Sequence, residues 1–422
     1  MEIKAPRGTR DIFGEEVFLW QRLEEVVRRN ASLFGYREVR TPIFEHTELF
    51  ARGVGEETDI VQKEMYTFSD KGGRSLTLRP EGTAPVVRTY LEHGFFARDP
   101  RVKWYYIGPM FRYERPQAGR MRQFHQFGFE ALGFQEPACD AEIIALAWTI
   151  YKELGLLDLS LELNSIGCPK CKPRYIAALT EYLEKEKETL CENCRLRLEK
   201  NPLRVLDCKV EKCQEVFGRP SFPSIQDFLC EECRRHEERL FRLIEGLGIS
   251  FVINPRLVRG LDYYTKTVFE VKVRTLGAQD AIGGGGRYDG LSQVLGGPEV
   301  PGVGFAAGME RIVLLLEKSG VSFSRLPFFY LAPQDEKGEE VLLSLSQQLK
   351  GLGIPFYLDF AAKGLRYHLK RAQKMGIRFV VIVGEEERKN RAFSLKDMTS
   401  GEQTLVSFEG LVELWRKERA VC

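Results

Sequence analysis

The chain has 422 residues, 43% hydrophobic and 29% charged, and its 62 lysines and arginines nearly cancel its 60 aspartates and glutamates. Such a balance belongs to a globular protein of two or three domains and excludes a polycationic nucleic-acid coat, so any basic surface must be local. No stretch approaches the roughly 20 apolar residues of a membrane span, and "MEIKAPRGTRDIFGEE" has no apolar core resembling a signal peptide, so no membrane is expected and the cytoplasm is the expected compartment.

In chain order, Leu19, Leu23, Val26 and Val27 fall on one face of a helix predicted over 15–34, with Gly35 placed to end it. "YREVRTPIFE" reads as one strand in which Pro42 marks an edge or an end. In "LTLRPEGTAPVVR", Pro80 and Gly82 bracket Glu81 on a tight turn and Thr83 adds a hydroxyl; alone, a plain turn leading into a helix accounts for it. Residues 103–133 read as paired strands around "ERPQAGR". Arg112 and Glu114 share a face of the first strand; on the second, Arg122, Phe124, Gln126, Gly128 and Glu130 share a face, opposite Phe127, Phe129 and Ala131. The glycine is expected to leave open space between Gln126 and Glu130. A solvated face would explain this pattern, but arginines at the turn, an aromatic, an amide and a carboxylate grade from phosphate-binding to amine-binding chemistry. "AEIIALAWTIYKELG" then returns to helical spacing.

From 166 to 245 the chain is rich in Cys, Lys and Glu and reads as a helical insertion with its own small core. Eight cysteines lie there as Cys168/Cys171, Cys191/Cys194, Cys208/Cys213 and Cys230/Cys233. Three of these pairs are C-x-x-C, which in a reducing compartment favours metal ligation over disulfides. Either one or two structural zinc sites or reduced thiols fit the spacing. Strand-like sequence resumes at "FVINP". In "LVRGLDYYTKTVFEV", Thr267, Phe269 and Val271 alternate as in a half-buried strand, whereas Arg259 stands just before it and requires a negative partner. "GGGGRYDG" follows, then "PGVGFAAGMERIVLLLE", a strand or turn leading into a helix. Arg311 sits in the early turns of that helix, where the partial positive charge already favours anions. The glycines do not form G-x-G-x-x-G, and no P-loop lysine motif occurs. After a linker at 319–327 the pattern becomes strand–helix–strand–helix–strand, a separate α/β domain with parallel pairing. Lys363, Arg366, Lys370, Arg371 and Lys374 lie on or near one of its helices, where a solvated amphipathic face would explain them.

Together these segments resemble the class II aminoacyl-tRNA synthetases, and among them the histidyl-tRNA synthetase family. "GYREVRTPIFE" resembles motif 1 of the class, used at the dimer interface; "FRYERPQAGRMRQFHQ" resembles motif 2 and "GVGFAAGMERI" motif 3. "LVRGLDYYTKTVFE" and "AIGGGGRYDGL" are similar to the two peptides that distinguish the histidine family. The resemblance implies an α+β fold: a catalytic core built on an antiparallel sheet flanked by helices (1–165 and 246–326), the insertion at 166–245 and an α/β anticodon-binding domain at 327–422. It implies a homodimer that joins histidine to its tRNA using ATP and Mg²⁺. Arg112 and Arg259 would meet the α-phosphate from two sides, and Arg311 the γ-phosphate or adenine. Glu114 and Phe124 would position adenine, with Arg120 and Arg122 near phosphates. Glu81, Thr83 and Gln126 would take the α-ammonium group of histidine. Glu130 and Tyr264, with Tyr263 alongside, would pair with the imidazole, which offers one donor and one acceptor. The glycine run Gly283 to Gly286 would let backbone approach the substrate.

Two other readings compete. A non-catalytic relative that regulates histidine biosynthesis would lack the C-terminal domain and carry degraded motifs, yet Arg112, Arg259 and Arg311 are all present. A zinc-dependent nucleic-acid-binding protein would leave the polar strand face and "RGLDYY" unexplained.

Overall fold

The computed structural model describes residues 3–117, 119–273, 281–319, 326–361 and 363–419, in two compact units, Met1–Phe323 and Ser324–Cys422. The first is built on an eight-stranded sheet. Its central six strands are antiparallel, in the order Val102–Phe111, Gln123–Leu132, Gly302–Gly308, Ala281–Arg287, Thr265–Val273 and Leu159–Ser165. Short parallel strands, Arg37–Glu38 and Phe251–Ile253, close the two edges. One sheet face carries Phe127, Phe129, Phe269 and Phe305 into a core shared with helices Glu16–Leu33, Pro137–Glu153, Glu231–Gly246 and Met309–Lys318. The period-two alternation read from the sequence sets this face. The other face meets helix Thr83–Glu92 through Tyr106, Met110, Tyr288 and Val87 and holds the polar residues between.

"YREVRTPIFE" forms two strands rather than the one expected. Arg37–Glu38 joins the large sheet, while Phe44–His46 pairs with Ser75–Leu78 in a separate three-stranded sheet. Pro42, which has no amide to donate, lies in the break between them. The first hairpin strand also stops earlier than the pattern suggested. It ends at Phe111, register-paired with Gln123, so Arg112 and Glu114 lie in the connecting loop. A strand-like face therefore does not place them, and the loop does.

The insertion has a core of its own, made of Tyr175, Leu179, Leu183, Leu198, Val216 and six buried cysteines. Its last helix, Glu231–Gly246, belongs to two cores: Cys233 packs in the insertion, Leu240 and Ile244 in the main core. In the second unit, strands Phe329–Pro333, Phe356–Leu358 and Phe379–Val383 pair in parallel around helices Glu336–Gly351 and Leu365–Lys374. An antiparallel extension, Phe393–Asp397 and Gln403–Val406, and a final helix complete it; neither was read from the sequence. The five basic residues at 363–374 are all exposed.

Candidate functional site

The open face of the sheet holds a cavity of about 270 Å³ lined by Arg112, Glu114, Arg120, Phe124, Gln126, Arg259 and Arg311. All seven were singled out from the sequence, yet they come from four separate segments. The hairpin loop supplies the first three. Arg112 is held by its Nε, which donates to the Pro80 carbonyl at 2.9 Å, and lies over the Phe124 ring at 5.4 Å. Arg120 reaches back to Glu114 at 3.3 Å. Arg311, in the first turn of its helix, donates to the Ala281 carbonyl at 2.6 Å. Four guanidinium groups, of Arg112, Arg120, Arg259 and Arg311, line one cavity and suit it to several anionic oxygens.

Arg122 does not join them, contrary to expectation. Its guanidinium stacks on Tyr113 at 3.8 Å and donates to the Glu114 carbonyl, and its backbone N–H donates to Gly8. It secures the loop to the N-terminal segment.

Arg259 pairs with Glu270, a residue the sequence reading passed over as a polar strand position. Burial is the largest single effect and opposes the arginine's charge, but Glu270, Tyr264 and Asp207 together outweigh it, so the guanidinium's pKa lies above its usual value. Its Nε is buried with no hydrogen-bond partner. The glycine strand makes room for it: a Cβ at Gly284 would sit 2.8 Å from Arg259 Nη1 and 2.7 Å from the Phe269 carbonyl.

Beside the cavity lies a buried polar cluster. Glu81 caps the turn before helix Thr83–Glu92, accepting from the N–H groups of Thr83 and Ala84 at 2.7 and 2.8 Å. Thr83 Oγ1 donates to Glu130 Oε1 at 2.7 Å, and Tyr288 OH donates to Glu130 Oε2 at 2.5 Å. Glu130 is only 1% exposed. Burial lifts its pKa to about 8, against the hydrogen bonds from Tyr288 and Thr83, with help from the nearby charge of Glu81. Burial also raises Glu81. The rings of Tyr263 and Tyr264 lie 4.7 Å apart and tilted at 53°, with Tyr288 at 5.8 Å from Tyr263. The Arg259 guanidinium couples to the Tyr264 phenol, joining cluster and cavity. Gln126 Oε1 and Tyr106 OH are buried here without a hydrogen-bond partner. A pocket with buried acceptors and a protonated carboxyl, next to an arginine-rimmed cavity, can hold a small polar cation-bearing molecule against a polyanion.

Gly128 does not leave the open space expected of it. Tyr106 fills that space: a Cβ on Gly128 would lie 2.4 Å from its ring. Tyr106 and Tyr288 were missed as site residues. Tyr288 stood in the quoted "GGGGRYDG", where the glycines drew attention; Tyr106 carried no signal in "KWYYIG".

A model of histidyl-tRNA synthetase matches residues 8–312, and one of an anticodon binding domain matches 329–418. The histidine–tRNA ligase of Desulforamulus reducens is 53% identical over 96% of this chain and 97% of its own. That of Halothermothrix orenii is 49% identical over 99% of this chain and 100% of its own.

The chain belongs to the histidyl-tRNA synthetase family.

Its fold agrees. The crystal structure of apo Staphylococcus aureus histidyl-tRNA synthetase superposes with a TM-score of 0.80 at 37% identity, over 98% of this chain and 99% of that one. Within this family frame, the arginine-rimmed cavity and the Glu130 cluster occupy one continuous face. The eight insertion cysteines form two groups apart from it, Cys168/Cys171/Cys230/Cys233 and Cys191/Cys194/Cys208/Cys213.

Proposed function

We propose that this chain is a histidine–tRNA ligase acting as a homodimer in the cytoplasm. It binds ATP with Mg²⁺, forms histidyl-adenylate, and transfers histidine to the 3′ end of its tRNA. The observation that carries this reading is the junction of the arginine-rimmed cavity with the buried Glu130 cluster, in a chain similar throughout its length to histidine–tRNA ligases.

In the first step a carboxylate oxygen of histidine attacks the α-phosphorus of ATP, and pyrophosphate leaves. Negative charge builds on the non-bridging oxygens, so the step needs alignment and fixed positive charge more than covalent help. Arg112 and Arg259 both line the cavity and supply that charge; Glu270 and Pro80 hold them in place beforehand, so little reorganisation is needed. Arg311 and Arg120 take the outer phosphates, and Phe124 and Glu114 the adenine. Among the described residues, the groups with metal-ligand geometry are the two cysteine sets. Mg²⁺ would accompany the ATP and neutralise its phosphates.

Glu81, Thr83 and Gln126 receive the α-ammonium group. Glu130 and Tyr264, with Tyr263 alongside, receive the two imidazole nitrogens, and Tyr288 fixes Glu130. A site whose buried groups need those bonds rejects analogues lacking them by about 10⁴ to 10⁵, so a separate editing site is not required. In the second step a ribose hydroxyl of the tRNA attacks the histidyl carbonyl and AMP leaves. The exposed basic helix Leu365–Lys374 supports tRNA contact by the second unit. The motif 1 segment supports the dimer, because Ile43 and Phe44 are 45% and 47% exposed and Phe68 joins Phe44 in an apolar patch.

The test is charging of a histidine tRNA transcript with each of the twenty amino acids. Charging with histidine alone supports the reading. A folded chain that charges no tRNA overturns it.

A further inference from the structure

The insertion contains eight cysteines that the reaction does not use. Sequence spacing alone did not say which pairs combine, and the fold nests them, the outer two pairs in one group and the inner two in the other. Cys168 and Cys171, just after strand Leu159–Ser165, meet Cys230 and Cys233 at the start of helix Glu231–Gly246. Cys191 and Cys194 meet Cys208 and Cys213. In each group the four sulfur atoms lie within 4.8 Å of one another. Four of the six separations in the first are 3.4, 3.6, 3.8 and 3.9 Å, and Cys191 lies 3.8 Å from Cys208.

These lengths exclude disulfides and fit a single tetrahedral ion. A disulfide would place two sulfurs about 2.05 Å apart. A tetrahedral ion with Zn–S bonds of about 2.3 Å places its four sulfurs at mutual distances of about 3.8 Å. A multi-iron cluster would push the sulfurs well beyond that. Backbone N–H groups also point at the sulfurs, as they do at thiolates that carry charge. Cys168 N–H donates to Cys171 Sγ at 3.2 Å and Lys170 N–H to Cys168 Sγ at 3.4 Å. Cys191 N–H donates to Cys213 Sγ at 3.3 Å and Val210 N–H to Cys208 Sγ at 3.4 Å. Four thiolates without a cation would repel one another in a buried core; a soft divalent ion removes that cost and lends a small segment folding energy.

The first group also reaches the start of the strand that follows the Arg259 loop, and the second reaches the loop itself. At the first, Gly167 O accepts from the Lys266 N–H at 2.9 Å and from Thr265 Oγ1 at 3.1 Å, and Glu232, between Cys230 and Cys233, pairs with Lys266 at 3.0 Å. At the second, the chain between Cys194 and Cys208 carries Asn201 and Arg204. Arg204 donates to the Gly260 carbonyl at 2.6 Å, and Asn201 to Asp262 Oδ1 at 3.1 Å. We propose that the insertion holds two mononuclear tetrathiolate zinc sites, one on each group of four cysteines, and that they brace the Arg259–Tyr264 loop, the first at the strand that follows it and the second along the loop itself.

The experiment is zinc content by plasma mass spectrometry on the full chain, purified with a reductant and without a chelator. Two zinc ions per chain are expected. The pairs Cys168→Ser/Cys171→Ser and Cys191→Ser/Cys194→Ser should each remove one. Should those variants fail to fold, titration of the unmutated chain with a mercurial carries the same test: modifying the eight thiols should release both ions, and Co²⁺ in their place should give the visible absorption of a tetrahedral thiolate site. A zinc-free chain with eight freely reactive thiols, disulfides between these cysteines, or iron in place of zinc would each overturn the metal assignment. The bracing is tested by Arg204→Ala with both ions retained. It should lower the rate of histidine-dependent pyrophosphate exchange on the order of tenfold with the ATP KM unchanged; an unchanged rate overturns it. Only this kinetic arm rests on the reaction proposed above, so its failure and that of the metal count can be told apart.

Discussion

Glu130 is a carboxyl held against its own ionisation. Its pKa of about 8 means that it keeps its proton at neutral pH in the free protein. A carboxylate accepts a hydrogen bond from an imidazole N–H more strongly than a neutral carboxyl does, so histidine binding should favour loss of that proton where the pH lies below about 8. The sign follows: affinity for histidine rises with pH up to that value and levels off above it. Titration calorimetry at pH 7.5, where free imidazole is already largely neutral, in two buffers of different ionisation heat should report release of most of one proton. Binding without proton release would mean that Glu130 is already ionised or plays no part. At this scale, much of the site was legible beforehand, because arginine, carboxylate and amide are costly to bury without a purpose. Glu270, Tyr106 and Tyr288 were not legible. Each matters only through the neighbour that folding brings to it: Arg259 for Glu270, Gly128 for Tyr106 and Glu130 for Tyr288.

At the scale of elements, the period-two pattern of "QFHQFGFEAL" correctly separated a core face from a polar face. Element ends were less legible: Pro42 splits one expected strand into two sheets, and the hairpin strand stops at Phe111. One element junction was invisible in the sequence. Arg287, at the end of the glycine strand, is fully buried and makes three contacts with Asp140 at 2.6 to 3.1 Å. His236, from the helix leaving the insertion, shares the same carboxylate at 3.3 Å and bonds Thr267 at 3.1 Å. This network joins the glycine strand, helix Pro137–Glu153 and helix Glu231–Gly246. Replacing Arg287 by Met leaves Asp140 buried with His236 as its remaining side-chain partner, and loss of one partner of a buried pair costs about 3–5 kcal/mol. Urea denaturation should show a loss of that size, with no gain from high salt, because a buried pair is poorly screened. A loss below roughly 1 kcal/mol, the value of a surface pair, would show that the network does not hold these elements together.

At the scale of the whole molecule, activation and tRNA recognition are assigned to different units. Met1–Phe323 contains every residue given a role with ATP or histidine, and Ser324–Cys422 has its own sheet and its own core. A chain ending at Phe323 should therefore keep histidine-dependent pyrophosphate exchange within a few-fold while losing most tRNA charging at low tRNA concentration. Equal loss of both in a folded truncation would contradict that division. The parallel strand–helix alternation of the second unit was legible because each strand is a short, wholly apolar run between amphipathic helices. The hairpin Phe393–Asp397 and Gln403–Val406 was not, since "AFSLKDMTSGEQTLVSF" mixes polar and apolar residues without a clear period.

The central claim is that Arg259, preset by Glu270 on one wall of the cavity, stabilises charge developing on the α-phosphate. The most direct measurement is exchange of labelled pyrophosphate into ATP, with histidine and with each other amino acid, on the unmutated chain and on Arg259→Ala. Exchange is predicted with histidine alone. The mutant should lose roughly 10² to 10³ in rate, the cost of removing one preorganised donor from a transition state, while its histidine KM moves little. Full exchange in Arg259→Ala, or a loss confined to histidine binding, would contradict the account.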